Sequence, residues 1–449
     1  MATRHLASVP PAQGAVAYIN ARLLDPASGL DAMGGLLTES EHIVHLAPGL
    51  FSDGVPPNAT IIDCQGACLS PGLVDLRMEL REPGFEHKET LRHACMAAVA
   101  GGVTSMVCLP NTDPVIDDEA TLEFVARRAR LVGLAKLYCY GACTKRLEGK
   151  ELAELGVMDE SGAMAFTDGY KAIGNAQTMR RILAYAATHD LMVMHHPEEP
   201  TLATGDMNAG ETATRLGLAG IPREAEIIML ERDMRLVAMT GCRYHAAHIS
   251  TAESVEIIRT AKAQGLPVSC DTAPPYFALN ELEIGDYRTF AKLSPPLRTE
   301  KDRLAIVQGL VDGVIDCVAS DHAPQDQDTK RRPFSDAVIG AMGLETLLSI
   351  TLSLHHNGHL PLLDCMALLT NRPAGLLDMP AGRLKTGAPA DLVVFDPQRV
   401  WMIKPEKFYS KSDNTPFDGK PTQGRVLRTV IDGRTVFTLE DGPISRIEI

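Results

Sequence analysis

Between residues 70 and 375 the chain alternates short apolar runs with longer helical patterns, and this rhythm narrows its fold more than any other feature. The runs include Leu73-Val74-Asp75-Leu76, Ser105-Met106-Val107-Cys108, Leu137-Tyr138-Cys139-Tyr140 and Leu191-Met192-Val193-Met194. Tyr244-His245-Ala246-Ala247, Pro267-Val268-Ser269-Cys270 and Ile315-Asp316-Cys317-Val318 continue the series. Helical patterns intervene, as at 224–239 and 252–264. A strand followed by a helix, repeated this often, predicts a closed parallel (β/α)8 barrel of the TIM type rather than an open sheet. Polar side chains fall just after these strands, at Arg81, Asn111, His196, His248 and Asp321. Barrel proteins place their chemistry at those carboxyl ends.

The flanks read differently. Residues 15–19, 43–46 and 60–62 form short strand-like runs punctuated by Gly, Pro, Asn and Asp, and 391–395 and 428–431 resume that style before an Asp432-Gly433 turn. We expect residues 1–69 and 376–449 to meet in one small β-sandwich, with 70–375 as the barrel. The 449 residues are 45% hydrophobic and 22% charged, so a large core needs no disulfide or metal staple. A net charge of -14 argues against nucleic acid and against anionic membranes as partners. The ten cysteines form no C-x-x-C pair and read as buried free thiols of a reducing compartment. Residues 1–17 lack the charged, apolar and cleavage regions of a signal peptide, and no run of about 18 apolar residues occurs. The expectation is a cytoplasmic protein.

Several motifs, in order, carry a family resemblance. They are Ser70-Pro71-Gly72-Leu73-Val74-Asp75-Leu76, Leu80-Arg81-Glu82-Pro83-Gly84-Phe85, Pro110-Asn111-Thr112 and His196-Pro197-Glu198-Glu199-Pro200. Tyr244-His245-Ala246-Ala247-His248, Ser294-Pro295-Pro296-Leu297-Arg298, Ser320-Asp321-His322-Ala323-Pro324 and Asn414-Thr415-Pro416-Phe417 follow. Together they resemble the bacterial dihydroorotases of the amidohydrolase superfamily almost end to end. The resemblance implies a barrel in which one or two zinc ions activate water to open, or close, the cyclic amide dihydroorotate.

The metal ligands that the resemblance implies are largely replaced. The family's first strand carries His-x-His, two side chains on one face, and here those positions are Arg77 and Glu79. A guanidinium has five donors and no lone pair for a metal. At about 4 Å it would repel a dication by roughly 8 kcal/mol at an effective dielectric near 20. The bridging acid falls at Gly169, with Asp168 able to take that role only if the loop shifts, and Lys171 reads as a solvated loop lysine. His196, His248 and Asp321 remain, enough for one zinc, with Asp321 as proton shuttle if the site is active. The alternative is that both histidines are satisfied core residues.

Arg81 and Asn111 match positions that would grip a substrate carboxylate. Against them, Ser294, Gln325 and Ala273-Pro274-Pro275-Tyr276 replace other family pocket residues. Arg77 is expected to supply the charge once given by metal, pairing with Glu79 and with Asp321. Three functions stay open. The first is an inactive homologue that assembles with aspartate carbamoyltransferase, the reading that the lost ligands favour. The second is an active mononuclear zinc hydrolase acting on dihydroorotate or carbamoyl aspartate, or on a hydantoin or allantoin ring. The third is a sensor of a small carboxylate. A homo-oligomer or hetero-oligomer is expected in each.

Overall fold

The computed structural model describes residues 14–444, so most of the segment read for a signal peptide lies outside the described residues. A ring of parallel strands forms the centre. Leu73–Met78, Val103–Cys108 and Lys136–Cys139 pair in that order, and Met192–His195, Arg243–Ala246, Val268–Thr272 and Cys317–Val318 form a second parallel set. Phe166 bridges the two sets, facing Gly141 on one side and Val193 on the other. On the far side Met78 bridges His322, and the Glu79 amide donates to the His322 carbonyl at 2.8 Å, closing the ring. Counting the Phe166 segment as the fourth strand, the barrel has eight.

Most residues of these strands are buried, which is why they read as continuous apolar runs rather than alternating ones. The helices between them start at side-chain caps. Thr90 accepts from the His93 amide ahead of Leu91–Ala100, and Thr251 from the Ser254 amide ahead of Ala252–Ala263. The 224–239 pattern appears as the helix Glu224–Thr240.

Both chain ends join one nine-stranded sheet. Its N-terminal part contains Ala15–Asp25, Leu30–Glu39, His42–Pro48, Ala59–Asp63 and Cys68–Pro71. Its C-terminal part contains Leu392–Met402, Pro421–Ile431, Arg434–Thr438 and Gly442–Pro443. The two halves meet where Cys68–Pro71 runs antiparallel to Leu392–Met402. Tyr18, Leu23, Leu36 and Leu69 from one half share a core with Leu392, Val394 and Val430 from the other. A buried Lys136 at the base of the barrel ties down this sandwich, with Nζ 2.8 Å from Asp391 and 2.6 Å from Asp432. Among the described residues no helix is long and apolar enough to cross a membrane.

Candidate active site

The carboxyl ends of the strands gather the predicted site residues, although not in the expected pairs. Arg77, on the first barrel strand, is 1% exposed, among the largest fully buried side chains. Its Nε lies 3.6 Å from Asp321 Oδ1, and its guanidinium sits 4.6 Å from the centre of the Tyr170 ring. Burial opposes the charge, but Tyr170, Asp321, Asp271 and Glu79 more than offset it and hold Arg77 above its ordinary pKa. A desolvated cation over an aromatic face is worth about 2 kcal/mol.

Glu79 does not pair with Arg77, which corrects the expectation. The strand ends at Met78, so the rule that i and i+2 share a face stops applying. The Glu79 carboxylate turns instead to an ion pair with Arg81 and accepts from Asn111 Nδ2 at 2.7 Å. The two residues expected to grip a ligand carboxylate thus hold an internal one. Arg81 is further fixed by its Nε, which donates to the Pro324 carbonyl at 3.1 Å.

Asp321 is the hub. Its Oδ1 accepts a short hydrogen bond from the Tyr170 hydroxyl, faces His248 Nε2 at 3.0 Å and draws Arg77. Burial pushes its pKa up, yet His248, Arg77 and Tyr170 together hold it below the ordinary carboxylate value. His248 sits between two carboxylates, with Nδ1 2.8 Å from Asp271 Oδ1. Burial would lower its pKa, but Asp321 and Asp271 prevail and raise it to about 9. Asp271 also faces His245 Nε2 at 3.2 Å and is held far below the carboxylate range, since both histidines outweigh its burial. His196 stands apart: its Nε2 is 3.2 Å from Ser294 Oγ and 3.4 Å from Glu198 Oε2, and burial lowers its pKa.

The position at which the resemblance implied a bridging acid carries no side chain. Gly169 has φ +66°, a left-handed conformation that glycine adopts without cost, and its neighbour Asp168 has not slipped into the role. Asp168 faces away, accepting from the Thr144 amide at 2.9 Å and from the Thr144 hydroxyl. Lys171 is exposed, as expected. Gln325 is committed to the loop above, its Nε2 donating to the Ile339 carbonyl at 2.8 Å. Arg81, His248 and Asp321 all have positive φ, at 62°, 55° and 48°. Each such backbone costs about 1–3 kcal/mol and re-aims its side chain into the barrel mouth.

Above this network lies a cavity of about 200 Å³ lined by Glu79, Arg81, Lys88, Asn111, Tyr170 and Asp321. An adjoining one of about 450 Å³ shares Tyr170, Ser294 and Ile339 with it. Sequence reasoning missed Tyr170, which covers Arg77, and Asp271, which holds His248. Tyr170 follows Gly169 directly, but the direction of its ring depends on the path of the loop. Asp271 carried a signal, as an acid at the end of a barrel strand next to the Cys270 run.

The zinc that the family resemblance implies does not fit these residues. His248 Nδ1 is bonded to Asp271 Oδ1, while its Nε2, 3.0 Å from Asp321 Oδ1, has no hydrogen-bond partner, so the misfit lies with Arg77 and not with this histidine. Asp321 is engaged by an arginine that would repel a dication. Among the described residues no group of three or more His, Cys, Asp or Glu side chains is gathered so as to hold a metal ion.

A closed eight-stranded barrel with a polar mouth, carrying a β-sandwich built from both chain ends, defines an amidohydrolase-type protein. A family model described as dihydro-orotase-like matches residues 66–254, and one described as amidohydrolase family matches 306–437. The chain is 44% identical to the dihydroorotase of Anaplasma phagocytophilum strain HZ, over 95% of this chain and 96% of that one. It is 42% identical to the dihydroorotase of Ehrlichia chaffeensis strain Arkansas, over 95% of each chain. This chain belongs to the dihydroorotase family. Among solved structures it superposes on the L-hydantoinase (dihydropyrimidinase) of Arthrobacter aurescens with a TM-score of 0.85, covering 96% of this chain and 97% of that one. At 23% identity, that likeness speaks for the fold alone.

Proposed function

We propose that this chain serves pyrimidine biosynthesis as a dihydroorotase-family protein that does not turn over dihydroorotate, and that it acts as a structural partner of aspartate carbamoyltransferase. One observation carries the inactivity: a buried guanidinium, paired with Asp321 and covered by Tyr170, fills ground that a catalytic dication would need. The surrounding groups then balance charge among themselves. Arg77 and His248 face Asp321 and Asp271, while Arg81 faces Glu79. Such a network needs no metal to stay folded, because each buried charge has an opposite neighbour. The partner role is supported by the family and by a scaffold kept intact around an altered centre.

The test is metal analysis of purified protein combined with a dihydroorotate ring-opening assay and co-purification with aspartate carbamoyltransferase. We expect less than stoichiometric zinc, no turnover and a shared elution peak. Stoichiometric zinc with measurable turnover would establish instead the mononuclear enzyme built on His196, His248 and Asp321. In that case Arg77→His with Glu79→His should raise activity sharply.

A further inference from the structure

The chain from 326 to 340 runs along the barrel mouth as a strap whose two ends are clipped to one side chain. Asn414, fully buried, accepts from the Gln325 amide at 3.1 Å through Oδ1 and donates to the Gly340 carbonyl at 2.9 Å through Nδ2. Ends held this close make the strap an Ω-type loop, packed largely on its own side chains. Between 326 and 340 only Lys330, Phe334, Ala337 and Gly340 are buried, so apolar packing gives it little hold.

Two buried lysines hold it instead. Lys292 Nζ donates to the Phe334 and Ser335 carbonyls, each at 2.8 Å, and pairs with Asp206 at 3.0 Å. Lys330 Nζ donates to the Val338 carbonyl at 2.7 Å and to the Thr289 carbonyl at 3.1 Å. The two differ in one respect. Lys330 is 2% exposed, and among the described residues its ammonium meets no carboxylate. Burying an amine without an opposite charge is costly, so hydration of a released Lys330 offsets part of the two lost hydrogen bonds. Lys292 is the fixed anchor, and Lys330 is the contact that gives.

The strap also divides the space beside it. Of the residues lining the two mouth cavities, Tyr170, Ser294 and Ile339 belong to both. Tyr170 is bonded to Asp321 and Ser294 to Glu198, whereas Ile339 comes from the strap and is 37% exposed. Ile339 is therefore the part of the partition that can move. The smaller cavity, about 200 Å³, falls below the roughly 300–1,000 Å³ of ligand pockets, and the two joined lie within that range. We propose that residues 326–340 are a lid latched by Lys330, and that its release withdraws Ile339 and joins the two cavities into one ligand-sized chamber. Such a lid admits a ligand whether or not the centre turns it over.

A thiol reporter tests this. Ser294→Cys places a thiol on the wall shared by both cavities, and the ten native cysteines are buried, so iodoacetamide labelling reads the chamber. The reporter should label slowly, and adding Lys330→Ala should speed it about tenfold or more. Hydrogen exchange should then rise in 326–340 and around Thr289, with the barrel strands unchanged. Labelling of the reporter alone at the rate of a free thiol, or no gain from Lys330→Ala, would overturn the proposal. So would faster exchange throughout the barrel, which would make Lys330 a residue of general stability. Ile339→Ala, at an exposed position, gives an independent reading should the lysine variant fail to fold. It thins the partition and should speed labelling with Lys330 in place, and an unchanged rate would sink the idea.

Discussion

At the scale of single residues, the centre is governed by one cation that has no route to water. Arg77→Ala leaves Asp321 with His248 and Tyr170 but without its guanidinium, and breaking a buried pair in this way costs about 3–5 kcal/mol. Urea denaturation should show that loss, and adding Asp321→Asn should restore part of it, since the second change removes the stranded charge. An unchanged midpoint for Arg77→Ala would mean that the pair contributes nothing. The Arg77–Asp321 attraction was readable in the sequence, because a guanidinium on a barrel strand must find a carboxylate. Its cover by Tyr170 was not, since stacking depends on where a loop places a ring. Glu79 was misassigned for a definite reason: strand alternation was extended one residue past the point where the strand ends.

At the scale of elements, loops rather than strands decide what the barrel mouth contains. The loop at 409–412 is pinned by two acids, the buried Glu89 and the half-buried Glu345. Glu345 accepts from the Tyr409 amide at 2.7 Å, and Glu89 accepts from the Ser410 hydroxyl and the Lys411 amide. Burial pushes Glu345 up to about 8 from 4.5, so the folded protein keeps a proton that the unfolded chain releases. With the folded value raised, its contribution is fully present below about pH 4.5 and lost as pH rises through about 8. Glu345→Gln should therefore flatten the decline in melting temperature across that window, and an identical profile would remove Glu345 as its source. Seven strands of the barrel were legible as apolar runs. The fourth was not, because it pairs through Phe166 alone and leaves too short a signal.

At the scale of the whole molecule, one lysine joins the barrel to the sandwich. Replacing Lys136 with Met would leave Asp391 and Asp432 facing each other with no cation between them. Limited proteolysis should then cut between barrel and sandwich, near residues 376–390, faster than in the unaltered protein, with a stability loss of about 3–5 kcal/mol. Equal cleavage rates would show that apolar packing alone secures the junction. The partnership of the two ends was foreseen from matching strand style, whereas their pairing through Cys68–Pro71 and Leu392–Met402 was beyond sequence patterns. That pairing also sets an order of events during synthesis. The first five strands leave the ribosome with one edge open and must wait for residues 392–449 to cover it. A chain stalled before residue 392 therefore displays a bare strand edge, and its fate depends on chaperones that shield such edges.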